Sequence, residues 1–163
     1  MMGSGKTRVG IELARLIGLP FVDSDQEIER AANLTVSEIF EKFGESEFRL
    51  KEKQIMLRLL AGKACVLASG GGGFIQPEIR SAIKKQAISI WLNADIDILV
   101  ERTSRNSNRP MLQGTIIKDK LQQLMDVRYP IYAESDITVV TDGQTPQDTA
   151  RLIKMEIDKR LQQ

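Results

Sequence analysis

The sequence predicts an α/β fold of three layers (α/β/α), in which helices cover both faces of a central parallel sheet. Predicted strands alternate with predicted helices along the 163 residues. The strands are continuous apolar runs, such as residues 64–69 and 87–92, and these runs are typical of parallel strands buried on both faces. No repeat or composition shift divides the sequence. We therefore expect a single domain over residues 1–163.

Each element has its own signal in the sequence. Val9, Leu13 and Ile17 share one face of the first helix. Thr35 and Glu38 have the spacing of a capping box, which places a helix start there. The same reasoning predicts helices over residues 7–17, 35–43, 45–60, 95–105 and 118–133 and helix starts at Pro77 and at Thr145-Pro146, and strands over residues 20–23, 64–69, 87–92 and 137–141.

The composition excludes several classes of protein. The chain has no histidine, which excludes His-dependent hydrolases and most zinc enzymes, so a carboxylate, a lysine or a tyrosine must transfer protons. Its single cysteine, Cys65, excludes an intramolecular disulfide. The 23 basic and 22 acidic residues nearly cancel, which predicts neither nucleic acid nor a membrane as a partner. With no apolar run of about 18 residues and no targeting segment visible, we expect a cytoplasmic protein.

The N terminus carries most of a phosphate-binding loop. Gly3-Ser4-Gly5-Lys6-Thr7 matches the end of the pattern Gly, four residues, Gly-Lys-Ser/Thr. In such a loop the backbone amides hold phosphate oxygens, Lys6 reaches the β- and γ-phosphates, and the Thr7 hydroxyl holds Mg²⁺. A glycine-rich start by chance is the alternative, but the amphipathic helix that follows favours nucleotide binding.

The first glycine of this loop and the strand that should precede it are absent from the sequence. The glycine would fall one position before Met1. The strand is expected at the centre of the sheet, where about five apolar side chains at roughly 1.5–3 kcal/mol each contribute as much as a domain's net stability. We therefore expect the working protein to begin upstream of Met1.

Two acids follow the strand at residues 20–23. Ligand sites of α/β sheets lie at the carboxyl ends of the strands, so Asp23 and Asp25 are expected to face the phosphates. One can serve Mg²⁺ through water, and the other can accept a hydroxyl proton. Capping of a following helix is the alternative role for this pair, and the two roles are compatible.

A run of glycines, Gly70 to Gly73, follows the strand at residues 64–69. Four glycines are a costly way to make an ordinary turn, because each loses much backbone entropy on folding. Close approach of a ligand to bare backbone is the better interpretation. Four arginines lie in predicted loops or helices that could converge there, although each alone is typical of a solvated surface charge: Arg49, Arg102, Arg109 and Arg128.

Taken in order, these segments resemble the shikimate kinase family. The resemblance extends from Met1 to about residue 150, and its order and spacing are more specific than any single motif. It rests on residues 3–7, 21–29, 39–52, 67–72 and 109–112 and on Arg128 with Tyr132. It implies a P-loop kinase fold and transfer of the ATP γ-phosphoryl group to the 3-hydroxyl of shikimate, in aromatic amino-acid biosynthesis.

On the acceptor side, the resemblance implies that Asp25 holds the shikimate hydroxyls and acts as base, while Asp23 supports Mg²⁺ through water. Arg49 and Arg128 would grip the shikimate carboxylate, a planar group that suits guanidinium forks. Gly70, Gly71 and Gly72 would line the same pocket.

On the ATP side, the resemblance implies binding by Gly3, Ser4, Gly5, Lys6 and Thr7. Arg109 would lie in a lid over about residues 105–115, where with Lys6 it would offset developing negative charge. Arg102 would lie near the adenine, and Pro146 falls where the family's adenine-contacting loop lies. We expect a monomer.

Two alternatives remain open. One is a related small-metabolite kinase, such as one for gluconate, which Arg49, Arg128 and the paired acids disfavour. The other is a nucleotide-binding module without turnover, because the loop is truncated.

Extending the chain upstream is expected to stabilise it. Adding roughly 5–10 encoded residues, the length of one strand, should raise soluble yield and melting temperature. Equal stability of the two forms would contradict the expectation of an upstream start.

Overall fold

A computed structural model describes residues 1–104 and 117–162. The predicted α/β class is confirmed, and the described residues form seven helices and four strands. In chain order these are α1 (Lys6–Ile17), β1 (Phe21–Asp23), α2 (Ser24–Ala32), α3 (Val36–Leu60), β2 (Val66–Ala68), a 3₁₀ turn (Gly73–Ile75), α4 (Pro77–Gln86), β3 (Ile90–Asn93), α5 (Ile96–Ser104), α6 (Ile117–Tyr132), β4 (Ile137–Val140) and α7 (Pro146–Leu161). None of these helices is long and apolar enough to cross a membrane.

Local sequence chemistry explains most helix ends. Thr35 and Glu38 form the predicted capping box at the start of α3. Gly44 has φ 80° and ψ 174°, which are not helical, so α3 consists of two helical segments that meet at a kink there, as predicted. Thr145 caps α7 by accepting a hydrogen bond from the amide of Asp148. The range of α2, which begins directly after β1, was not among the predicted helices, although capping of a following helix was one of the two roles considered for Asp23 and Asp25.

The strands pair in parallel, as predicted. β1 lies beside β2, with Phe21 opposite Val66, and β3 lies beside β4, with Ile90 opposite Ile137. Within the described residues these form two separate two-stranded ladders, and no ladder joins β2 to β3. The carboxyl ends of β1 and β2 lie together, which places Asp23 next to the residues that follow Ala68.

Successive strand residues point to opposite helical layers. On β3, Leu92 packs with α1 and α7 in one apolar cluster, whereas Trp91 packs with α5 and α6 in another. On β2, Val66 packs against the α1 cluster, and Leu67 contacts the cluster formed by α3 and α4. Both ladders therefore have helices on both faces, which gives the predicted three layers.

We predict that Leu121→Ala destabilises the protein by about 2–5 kcal/mol, because it leaves a cavity where a large side chain was fully buried. Val127→Ala is the matched control, since Val127 lies on the same helix with 66% of its surface exposed. Denaturant unfolding of both variants checks this. Equal losses would show that the α6 packing described above is wrong.

Candidate active site

The N-terminal loop is shaped to hold an anion. Gly3 and Gly5 have φ of 74° and 87°, in the left-handed region that favours glycine. Ser4 Oγ and Lys6 Nζ both donate to the Met1 carbonyl oxygen, at 2.9 and 2.6 Å. Among the described residues, no side chain caps α1, and the first turn of this helix carries no acid, so its N-terminal amides present positive potential to an anion.

The loop packs against the end of α5. A Cβ on Gly3 would lie 2.8 Å from Thr103 Oγ1 and 3.1 Å from the Leu99 carbonyl oxygen, so only glycine fits there. Arg102 Nη1 lies 3.5 Å from the Gly3 carbonyl oxygen, which places Arg102 beside the loop.

A hydroxyl and a carboxylate face each other beside this loop. Thr7 Oγ1 donates to Asp23 Oδ2 at 3.3 Å, while Asp23 Oδ1 accepts from the Asp25 amide at 3.0 Å. Asp23 therefore caps α2 and still presents an oxygen to Thr7. These are hard oxygen ligands of the kind Mg²⁺ prefers, and Mg²⁺ needs only one or two carboxylates when phosphates complete its shell. The described residues contain no group of three or more acids, Cys or His that could hold a metal alone.

Two buried carboxylates flank Gly70. Asp25 Oδ1 and Glu52 Oε1 are both buried without a hydrogen-bond partner among the described residues. A Cβ on Gly70 would lie 2.7 Å from the first oxygen and 2.9 Å from the second. Because an unpaired buried acceptor is costly, the two oxygens suit a ligand that supplies hydroxyl donors.

Two guanidinium groups lie against the next two glycines. Arg49 Nη1 is 2.1 Å from the position a Cβ would take on Gly72, and Arg128 Nη1 is 3.0 Å from that position on Gly71. Arg49 donates to Glu52 Oε2 at 2.7 Å and to Glu45 at 3.0 Å. Burial acts to lower the pKa of Arg49, but its bonds to these two acids outweigh burial and raise it. The group therefore stays a cation.

The electrostatics single out Asp25. Burial, followed by the charges of Asp23 and Glu52, raises the pKa of the Asp25 carboxyl to about 6, and Lys6 offsets only part of this. A carboxylate with a pKa raised this far is a better general base than an ordinary aspartate, and it is still mostly ionised near neutral pH.

The described structure brings together most of the predicted site residues. The loop residues 3–7, Asp23, Asp25, Arg49, Gly70 to Gly72 and Arg128 form two adjacent regions that meet at Asp23 and Lys6. Pro146 instead opens α7, next to Gln147, whose side chain donates to Glu12 of α1 at 3.1 Å. Arg109 and the predicted lid at 105–115 lie outside the described residues.

Sequence reasoning did not assign Glu52 to the site, although a signal was present. Phe48, Ile55 and Met56 form the buried face of this part of α3, and Glu52 stands on that face with no exposed surface. A charged residue in an apolar stripe indicates a partner inside the protein. One partner, Gln76, donates to Glu52 Oε2 at 2.8 Å and had no such signal.

Phosphoryl transfer to a small acceptor requires phosphate oxygens and acceptor to be held side by side, with a base at the acceptor. The loop and Lys6 provide the first region, and the pocket around Asp25 and the two arginines provides the second. Fold and site together define the class of small-molecule P-loop kinases.

Comparisons with known proteins identify the family. The chain matches the shikimate kinase family over residues 2–158, so it belongs to that family. It is 50% identical over 139 residues to a shikimate kinase of Bartonella quintana (strain Toulouse), covering 85% of this chain and 66% of that protein. It is 47% identical over 156 residues to a shikimate kinase of Brucella canis, covering 95% of this chain and 78% of that protein.

Solved structures agree. The shikimate kinase from Acinetobacter baumannii in complex with shikimate has a TM-score of 0.94 at 40% identity, over 98% of this chain and 89% of that one. The shikimate kinase of Aquifex aeolicus has a TM-score of 0.83 at 27% identity, over 99% of this chain and 94% of that one.

The raised pKa of Asp25 predicts a pH-dependent stability. Between its ordinary value of 3.8 and about 6, the folded chain keeps a proton on Asp25 that the unfolded chain releases. Stability is therefore lost as pH rises through this window. Asparagine carries no charge to bury, so the melting temperature of Asp25→Asn relative to wild type should rise between pH 3.8 and about 6 and stay higher above that range.

Thermal melting from about pH 4 to pH 8 covers this window and the plateau above it. Asp158→Asn, which removes a surface partner of Lys154, is the control. A difference in melting temperature between Asp25→Asn and wild type that stays constant with pH would contradict the raised pKa of Asp25.

Proposed function

We propose that this protein transfers the γ-phosphoryl group of ATP to the 3-hydroxyl of shikimate, giving shikimate 3-phosphate. The observation that carries the proposal is the pocket where Asp25 meets Arg49 and Arg128 around bare glycine backbone. A related structure at 40% identity is described as a complex with shikimate, which supports the choice of acceptor.

On the acceptor side, Arg49 and Arg128 bind the carboxylate of shikimate, because two guanidinium groups can offer paired donors to a planar anion. The unpartnered oxygen of Asp25 accepts a hydrogen bond from the reacting hydroxyl. It takes the hydroxyl proton as the hydroxyl oxygen bonds to the γ-phosphorus, while the bond from that phosphorus to the β,γ-bridging oxygen breaks and ADP leaves. Glycines at 70–72 let the side chains of Asp25, Arg128 and Arg49 lie directly against the backbone, where they converge on the acceptor.

On the ATP side, the loop amides and Lys6 bind the phosphates, and they offset the charge that develops during transfer. Thr7 and Asp23 would hold Mg²⁺, which when bound neutralises phosphate charge. We propose the same side for Arg102, beside Gly3, for Arg109 in a lid over about residues 105–115, and for Pro146 near the adenine.

The proposal includes a cytoplasmic monomer that works as a single domain over residues 1–163, with neither nucleic acid nor a membrane as a partner. The near balance of 23 basic and 22 acidic residues supports the last point.

A coupled ADP-release assay with shikimate tests the function. Asp25→Asn should lower kcat by at least about 100-fold, the usual contribution of a positioned base, while calorimetry shows unchanged ATP binding. The control is Asp158→Asn, which should keep wild-type turnover because Asp158 pairs with Lys154 on the α7 surface, on a helix that carries neither Asp25 nor the two arginines of the pocket. Full turnover of Asp25→Asn would remove Asp25 from the base role.

The same assay separates the alternatives. Turnover with gluconate but not with shikimate would favour the related metabolite kinase. Binding of both ATP and shikimate without turnover would favour a nucleotide-binding module.

A further inference from the structure

Two side-chain hydroxyls outside the residues assigned above hold the glycine run from opposite sides. Ser24, at the start of α2, accepts a hydrogen bond from the Gly70 amide at 3.1 Å through its Oγ. Tyr132, at the end of α6, donates its phenolic hydroxyl to the Gly71 carbonyl oxygen. Ser24 has no exposed surface and Tyr132 is 6% exposed, so both hydroxyl-bearing residues are buried, and the two bonds are part-buried.

These bonds decide which peptide groups of the run stay available. The Gly70 carbonyl accepts from the Gly73 amide at 3.1 Å and from Ser69 Oγ at 2.9 Å. With Ser24 and Tyr132 included, both polar groups of Gly70 and the carbonyl of Gly71 have partners. Among the described residues, no protein acceptor takes the amides of Gly71 and Gly72. These are the two glycines against which the guanidinium groups of Arg128 and Arg49 lie.

Tyr132 is well placed to act as a fixed donor. Its ring packs near Trp91 and Tyr129, with centroids 6.0 and 6.3 Å away. Tyr132 lies one helical turn after Arg128, so a single stretch of α6 fixes the positions of both the guanidinium group and the hydroxyl. Burial raises the pKa of Tyr132 despite the opposing effect of Arg128, so the hydroxyl keeps its proton.

We propose that Tyr132 and Ser24 are positioning residues of the acceptor pocket. Their hydroxyls fix the peptide planes of Gly70 and Gly71, so that the amides of Gly71 and Gly72 stay available to the carboxylate that Arg49 and Arg128 bind. The proposal rests on the proposed function and extends it to residues that do not themselves touch the acceptor.

Tyr132→Phe is the first test, because it removes one hydroxyl and keeps the ring in the core. We expect the KM for shikimate to rise about 10-fold, the effect of losing one hydrogen bond that holds the pocket in shape. We expect kcat to stay within about 2-fold and the KM for ATP to stay unchanged, because the loss concerns acceptor binding.

Tyr129→Phe is the matched control. Tyr129 belongs to the same aromatic cluster, 4.8 Å from Trp91, and also donates to a backbone carbonyl oxygen, that of Ala94 at 3.2 Å. Within the described residues, its hydroxyl makes no hydrogen bond to the glycine run. If Tyr132 had only a structural role, both variants would have lower melting temperatures and neither would have a changed KM for shikimate. Equal KM values for shikimate in the two variants would overturn the role of Tyr132.

Ser24→Ala gives a second test that does not depend on the aromatic core. It should also raise the KM for shikimate with little change in kcat, and an unchanged KM would overturn the role of Ser24. If Tyr132→Phe does not fold, Ser24→Ala alone decides the proposal. Absence of shikimate phosphorylation by the wild-type chain would instead overturn the proposed function itself.

Discussion

The close approach of charged side chains to bare glycine backbone is the constraint on which the pocket depends. Arg49 lies so near Gly72 that any side chain there would collide with the guanidinium group. A Cβ on Gly70 would likewise collide with Asp25, at 2.7 Å, whereas a Cβ on Gly71 would lie 3.0 Å from Arg128, a tight contact that a small shift relieves. The glycines therefore do more than turn the chain after β2. They let α2, α3 and α6 bring their charges to one place.

Charge pairing makes this crowding tolerable. Burying the charge of Arg49 or Glu52 alone would cost much free energy. The two residues instead share a 2.7 Å hydrogen bond to Glu52 Oε2, and Gln76 donates to the same oxygen. Within the described structure, Glu52 Oε1 and Asp25 Oδ1 have no hydrogen-bond partner. Nucleotide and acceptor regions meet where Asp23 bonds to Thr7 and where Lys6 acts on Asp25.

The features that could be predicted from the sequence are those set by residues close together in the chain. The capping box at Thr35, the break at Gly44 and the acids after β1 are all present. The helix α2 was missed because its face is mostly polar and its apolar contact is chiefly Ile28. Contacts between distant residues left no local signal: Ser24 and Gly70 are 46 positions apart, and Tyr132 and Gly71 are 61 apart. Such partners become visible only when the strands are assembled.

One wall of this pocket, at Gly70 to Gly72, is built from main-chain atoms, and this bears on how freely the pocket can evolve. A pocket lined by side chains can change when one residue is substituted for another, and an inhibitor that contacts those side chains then loses potency. Here the wall at Gly70 to Gly72 has no side chain to exchange, and adding one at Gly70 or Gly72 would displace Asp25 or Arg49. A compound that rests on this backbone would therefore meet a surface with few routes to resistance.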